Sequence, residues 1–214
     1  EADVAASLRD LDYPEDPIQW TDDHREALAR DVRARTKPIV LVANKADIAP
    51  PENLERLRET GKPVVPATAE GELALRQAAE AGAIDYDPGD SDFEVVGDLS
   101  DEQAAGLETI REVVREHGGT GVQTALNEAV YGLLDRITAY PVENETRWTD
   151  AKGNVLPDAF LLARGSTPTD LAYAVHSDIG DGYLHAVNAK TDREVSESYE
   201  LEEGDVIKIV STAK

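Results

Sequence analysis

The run Ile39-Val40-Leu41-Val42-Ala43, followed at once by Asn44-Lys45-Ala46-Asp47, is the stretch from which the fold can be read. Five consecutive apolar residues fit a strand buried on both faces. The polar quartet then falls where that strand ends, and open α/β sheets bind ligands just beyond the carboxyl ends of their strands. An aspartate there can accept two hydrogen bonds from a guanine, one from N1–H and one from the 2-amino group, a donor pair that adenine lacks. An asparagine amide can donate to guanine N7 or O6, both acceptors. A lysine can lay its aliphatic stem along the base while its ammonium stays in water. A site that must satisfy such a carboxylate discriminates strongly against the wrong base. The competing reading is an ordinary polar turn after a strand.

Working outward, residues 21–36 read as a helix. Thr21 caps it, Asp22 and Asp23 suit its positive end, and the residue before Pro38 is pushed out of helical geometry. After the quartet, Pro50-Pro51 opens a short helix through Leu54 and Leu57 to Glu59, with Gly61 as its C-cap. Val64-Val65 is a second short buried strand, and a helix over 71–81 stops at Gly82. Strand, helix, strand, helix is half of an α/β sheet. Residues 85–98 read as a loop around Asp-Pro-Gly-Asp. Ser100 caps a further helix, with Gln103 completing a capping box and Leu107, Ile110, Val113 and Val114 as its apolar stripe, broken at Gly118-Gly119. Val122, Leu126, Val130, Leu133, Leu134 and Ile137 recur at helical spacing and predict a second helix.

From Ala139 the texture changes. Strands are expected at Tyr140-Pro141-Val142, Phe160-Leu161-Leu162-Ala163, 183–188, 193–195 and 206–210, with one helix opened by Thr167-Pro168 and running to Val175. That is an α+β plan in which a small mixed sheet grips one helix. The expected division is 1–98 as the second half of an α/β domain, 99–138 as a helical segment and 139–214 as a small α+β domain.

Composition narrows the function. The chain has 214 residues, 41% hydrophobic and 30% charged, enough apolar material for a core. Forty-four acidic residues face seven lysines and fourteen arginines, a net charge of −23. Binding of DNA or another polyanion by charge attraction is disfavoured. Such carboxylate excess fits solubility in very high salt, where a Debye length of about 3 Å screens self-repulsion, so the composition reads as that of an extreme halophile. With no cysteine there is no disulfide, iron–sulfur or thiolate zinc site. No apolar run is long enough to span a membrane and no signal peptide is visible, which makes the cytoplasm the expected location. The absence of methionine even at position 1 suggests a piece of a longer chain.

Asn44-Lys45-Ala46-Asp47 resembles the NKxD base-recognition motif of GTPases, and Thr68-Ala69-Glu70 resembles the Ser-Ala-Lys motif that follows it, with Glu70 in place of the usual lysine. The resemblance implies guanine contacts from Asn44, Lys45, Asp47, Thr68 and Ala69, one of them a backbone N–H to the guanine oxygen. Gly165-Ser166-Thr167-Pro168-Thr169-Asp170-Leu171-Ala172-Tyr173-Ala174-Val175-His176-Ser177-Asp178-Ile179-Gly180 and the closing 199–209 segment resemble the core of a TGS domain. That β-grasp module is found in threonyl-tRNA synthetases, certain GTPases and stringent-response enzymes. The combination, with Tyr13-Pro14-Glu15-Asp16-Pro17-Ile18-Gln19-Trp20 ahead of the base motif, is similar to the archaeal type of the Obg-like, YchF-related GTPases. The family implies GTP or GDP as ligand and a link to the ribosome or translation. Its bacterial members carry an altered base motif and favour ATP. The lysine and aspartate kept here imply GTP.

A GTPase also needs G-x-x-x-x-G-K-[ST] to cradle phosphates and place magnesium. That loop does not occur in this sequence, and the Asp-x-x-Gly switch motif expected beyond the strand after it has no convincing counterpart. Mg2+ and hydrolysis are therefore expected only of the intact protein. Two functions stay open: a guanine-nucleotide-binding part of a GTPase, and a non-catalytic TGS-bearing module that contacts RNA or the ribosome. Residues 139–214 hold seven basic and fourteen acidic side chains, so RNA contact there would lean on stacking and shape. A threonyl-tRNA synthetase fits less well, because its TGS domain begins the chain. His176 and His117, each at a helix C-terminus, suit the helix dipole, and His24 and His185 lack partners at metal-ligand spacing. Asp87, Asp90 and Asp92 alternate around Gly89 but lack the length and final glutamate of an EF-hand, and read as a solvated loop.

Overall fold

A computed structural model describes residues 2–11, 13, 14 and 16–213. Glu15, within the stretch that leads to the base motif, and Glu1 lie outside the described residues. The chain forms two compact units, divided after Ala129.

The first unit begins with α1 (Ala2–Asp10), which packs on α2 (Asp22–Thr36). Thr21 caps α2 as expected. The capping box is closed by His24, whose Nδ1 accepts the Thr21 N–H at 3.2 Å while Thr21 Oγ1 accepts the His24 N–H at 3.3 Å. His24 is thereby a helix cap. Next come β1 (Leu41–Asn44), α3 (Pro51–Arg58), β2 (Val64–Ala67) and α4 (Ala69–Glu80). β1 and β2 run parallel, with Leu41 opposite Val64 and Asn44 opposite Ala67, so both strands end together. The two form a two-stranded sheet. β1 is consequently less covered than its apolar run predicts: its residues alternate half-buried and exposed, and Val42 is 48% exposed. A continuous apolar run needs cover on both faces, and the described residues supply only part of it.

The predicted loop over 85–98 carries a short antiparallel pair, β3 (Ile84–Asp85) with β4 (Glu94–Val95). Ile84, Tyr86 and Phe93 anchor it in the core with Leu75 of α4 and with Leu107 and Val114 of α5 (Asp101–His117). α5 shows the expected Ser100–Gln103 capping box and ends at Gly118, φ +75°. α6 (Val122–Asn127) follows and continues as a π-helical turn over Glu128–Leu133. The helix predicted to reach Ile137 stops short. Asp135 takes φ +45°, and Ile137, fully buried, already belongs to a strand. Helical spacing and strand burial both fit the apolar Ile137, and the β-branched residue follows the packing.

The second unit is a five-stranded mixed sheet in the order β6-β5-β9-β7-β8. Its strands are β5 (Arg136–Val142), β6 (Phe160–Ala163), β7 (Tyr183–Asn188), β8 (Arg193–Val195) and β9 (Asp205–Ser211). β5 and β9 are parallel and the other pairings antiparallel. α7 (Pro168–Val175) packs on the sheet through Leu171, and α8 (Ser177–Asp181) follows it. Ile137, Ala139, Leu162, Leu171, Ala186, Leu201 and Ile207 make the core. Burying one such leucine or isoleucine is worth about 1.5–3 kcal/mol. Thr167 and Asp170 cap α7 reciprocally, with Pro168 at its first turn. This is the helix-in-mixed-sheet plan read from the sequence.

Candidate nucleotide-base site

The quartet sits where the parallel strands end. Asn44 is the last residue of β1, and its Oδ1 accepts two backbone N–H groups: its neighbour Lys45 at 2.9 Å and Ala69 at 3.1 Å. The second bond spans the sheet and ties the β1 exit to the β2–α4 junction. The Asn44 amide nitrogen has no described partner. Lys45 takes φ +67°, unusual for a residue with a side chain and worth roughly 1–2 kcal/mol of strain. Its carbonyl holds the turn in place by accepting the Ile48 and Ala49 N–H groups at 3.2 and 2.9 Å, while Ala46 N–H reaches Ala67 O at 3.0 Å. Asn44, Lys45 and Asp47 are exposed at this turn.

Thr68 is buried at the start of α4. Its Oγ1 accepts the Gly71 N–H at 3.2 Å and its own N–H reaches Thr120 O at 2.8 Å. The two backbone donors offered by Thr68 and Ala69 are thus both engaged within the chain, by Thr120 and Asn44. Glu70, in the first turn of α4, has no described partner for its N–H. The quartet opens on two cavities. Asp47, Thr68 and Glu70 line one of about 260 Å³, walled by Ala74, Ile110 and Val113. Asn44 and Ala46 line another of about 200 Å³, with Leu54 and Leu57 of α3 and His117 of α5. The structure brings Asp47 and Thr68 to one cavity and Asn44 to the other, and the Asn44–Ala69 bond links the two.

A polar cluster that motif reading passed over stands behind this loop. Glu72 of α4 is 5% exposed. Its Oε2 accepts the hydroxyls of Thr120 at 2.6 Å and Tyr86 at 2.7 Å, and its Oε1 accepts Arg76 Nε at 2.6 Å. Burial pushes this carboxyl up, but the bonds from Thr120, Tyr86 and Arg76 outweigh it and hold it below the ordinary glutamate range. The signals in the sequence were Gly118-Gly119-Thr120-Gly121, three glycines around one hydroxyl, and an acid beside the apolar positions of α4.

The remaining candidates have local work. His176 ends α7 and caps α8, its Nδ1 accepting the Asp178 N–H at 3.1 Å. His117 is the last residue of α5. Asp92 is held by Arg111 and Arg115 at 2.9 and 2.7 Å. Among the described residues no helix is long and apolar enough to cross a membrane.

Residues 42–144 match the family described as Obg-like GTPase YGR210-like, G4 motif-containing domain, and residues 152–211 match the TGS domain. An uncharacterized GTP-binding protein of Methanocaldococcus jannaschii is 43% identical over 219 residues, covering 100% of this chain and 55% of the relative. One from Schizosaccharomyces pombe is 28% identical over 189 residues, covering 80% and 45%. The crystal structure of a GTP binding protein from Pyrococcus horikoshii OT3 superposes with a TM-score of 0.75 at 42% identity, covering 99% of this chain and 56% of that one. The chain spans about half the length of the curated relatives it matches over most of its own. The parallel strand pair that ends at the quartet lies in the part similar to the G4-motif-containing domain, and the five-stranded mixed sheet lies in the part similar to the TGS domain.

Proposed function

We propose that the first unit is the base-reading part of a guanine-nucleotide site, with GTP and GDP as ligands of the intact protein. The observation that carries this reading is the placement of Asn44, Lys45 and Asp47 on a left-handed turn at the strand ends, bonded through Asn44 Oδ1 to Ala69 of the neighbouring loop. Asp47 would accept N1–H and the 2-amino group, Asn44 would donate to N7 or O6, and the Lys45 stem would cover a face of the ring. The unpartnered Asn44 amide nitrogen supports this, since that role needs a free donor. The backbone contact to the guanine oxygen falls to Ala69 if the base displaces the Asn44 bond, or to the Glu70 N–H. Nothing in the sequence fits the phosphates or Mg2+, because it contains no G-x-x-x-x-G-K-[ST]. Hydrolysis is accordingly assigned to the intact protein and no step of it to these residues.

The test is an NMR titration of this chain with GDP and with xanthosine diphosphate in molar KCl. GDP should shift the amides of residues 44–47 and 68–71 more than the xanthine nucleotide does. Asp47→Asn exchanges an acceptor for a donor and should reverse that preference by roughly tenfold or more. Identical GDP response in wild type and D47N removes Asp47 from base recognition.

The TGS domain is proposed to carry a ribosome or RNA contact. The family match over 152–211 supports it, and the seven basic against fourteen acidic side chains of residues 139–214 direct it toward shape and stacking. A chain ending at residue 138 should lose co-sedimentation with ribosomes in molar KCl, and retained co-sedimentation would rule this role out. The acidic surface is proposed as an adaptation of a cytoplasmic, YchF-related protein to high salt, with residues 1–98, 99–138 and 139–214 as its base-recognition, helical and TGS parts.

A further inference from the structure

Glu72 is the buried charge that base recognition leaves unused. Among the described residues only Glu72 and Asp205 are buried acids, in a chain with 44 acidic residues. Removing a carboxylate from water costs several kcal/mol, and an apolar side chain would often fill the space at least as stably. Its three partners therefore bear on what the charge specifies.

The chief partner is Thr120, itself 1% exposed. While its hydroxyl donates to Glu72, its carbonyl accepts the Thr68 N–H at 2.8 Å. The next residue, Gly121, sits at φ +81° so close to β2 that a Cβ there would lie 1.9 Å from Pro66 O. Residues 120 and 121 thus brace β2 and the residue after it from behind. In front, Thr68 caps α4, and the adjoining Ala69 N–H bonds Asn44 Oδ1. An unbroken series of bonded neighbours runs from Glu72 through Thr120 and Thr68–Ala69 to Asn44.

We propose that Glu72, acting through Thr120, is a positioning residue that fixes the β2–α4 junction at Thr68–Ala69 in register with Asn44 and so sets the geometry of base recognition. The proposal rests on the base-site reading above. It also explains the residue types. A carboxylate can take two hydroxyls on one oxygen and a guanidinium on the other, which an apolar residue cannot. Tyr86 and Arg76 fix the carboxylate, and Thr120 passes that fixation to the junction.

The experiment compares Thr120→Val, which keeps the shape and removes the hydroxyl, with Thr120→Ser, which restores a hydroxyl, in the full chain. Two readouts are taken: amide hydrogen exchange and the GDP titration. In T120V the amides of Thr68 and Ala69 should lose about tenfold in protection and GDP affinity should fall about tenfold, the worth of one buried hydrogen bond. Protection in β9 should stay unchanged, and T120S should recover both readouts. Unchanged protection at Thr68 and Ala69 in T120V overturns the proposal, as does a loss that serine does not rescue. If T120V does not fold, Glu72→Gln, which keeps the shape and one acceptor, takes its place with the same exchange criterion. The two readings fail separately. A GDP response insensitive to D47N removes the base site, whereas intact protection at residues 68 and 69 removes the positioning role.

Discussion

The two units use similar apolar strand segments to opposite effect. In the second unit Ile137 and Ile207 are fully buried between neighbouring strands and beneath α7. In the first, Val42 is 48% exposed beside a single partner strand, and Ile39, just ahead of β1, is 39% exposed. Strand composition alone does not set burial. The number of paired neighbours and the helix laid across them decide it. The first unit places its specific polar bonds at the strand ends and behind the adjoining loop, through Asn44, Thr68, Thr120 and Glu72. The second packs its apolar cluster against one helix and bonds its buried Asp205 to Asn188, Tyr199 and the Glu202 N–H, away from any parallel strand exit of the first unit's kind.

The sharpest way to break that comparison is a pair of truncations. Leu171→Ala removes a fully buried side chain from the α7–sheet contact and should destabilise the second unit by about 2–5 kcal/mol. Val42→Ala, at a half-exposed strand position, should cost the first unit less than about 1 kcal/mol. Each unit carries one of the two tryptophans, Trp20 and Trp148. Urea unfolding followed by fluorescence in Trp148→Phe and Trp20→Phe backgrounds separates the two transitions. Equal losses in the two units would mean that β1 is covered in solution as well as β5 and β9 are.

Much of this was legible in the sequence because local chemistry and tertiary packing agree there. Thr21, Ser100 and Thr167 each precede an acidic or capping-competent residue at the right spacing, and each caps the helix it announces. The quartet lies where a strand followed by Lys-Ala-Asp must turn. Reading failed where a residue served two patterns or where partners lay far apart. Ile137 fits a helical repeat, but Asp135 breaks the helix and the sheet takes Ile137. The β3–β4 pair is two residues long on each side, too short for alternation to show. Thr120 and Glu72 are 48 residues apart, and no local spacing announces their bond. The sharing of Asp47 and Asn44 between two cavities likewise depends on how α3 and α5 flank the turn.

The smallest expected effect tests how the first unit holds its outer loop by charge. Asp92 Oδ1 accepts Arg111 Nε at 2.9 Å and its own neighbour's N–H, from Phe93, at 2.9 Å, while Oδ2 accepts Arg115 Nη2 at 2.7 Å. The Arg111 guanidinium also lies 4.2 Å over the Phe93 ring, so the loop's aromatic anchor and its carboxylate share one arginine. The Arg115 bond and the Phe93 N–H, with a further pull from Arg111, bring the Asp92 carboxyl down to about 2 from an ordinary 3.8. A depressed folded-state value means that the stabilisation is complete above the ordinary aspartate range and is lost as the pH falls toward about 2. The site is exposed, so salt screens it and the effect stays small. Amide exchange at Phe93 should therefore hold steady down to pH 4 and rise between pH 4 and 2. Asp92→Asn should flatten that rise, while β9 of the second unit, which has no part in this cluster, keeps the same profile in both proteins. A rise that persists in D92N would assign the acid sensitivity of this loop to another carboxylate, with Glu108, bonded to Arg111 at 2.6 Å, the first to replace.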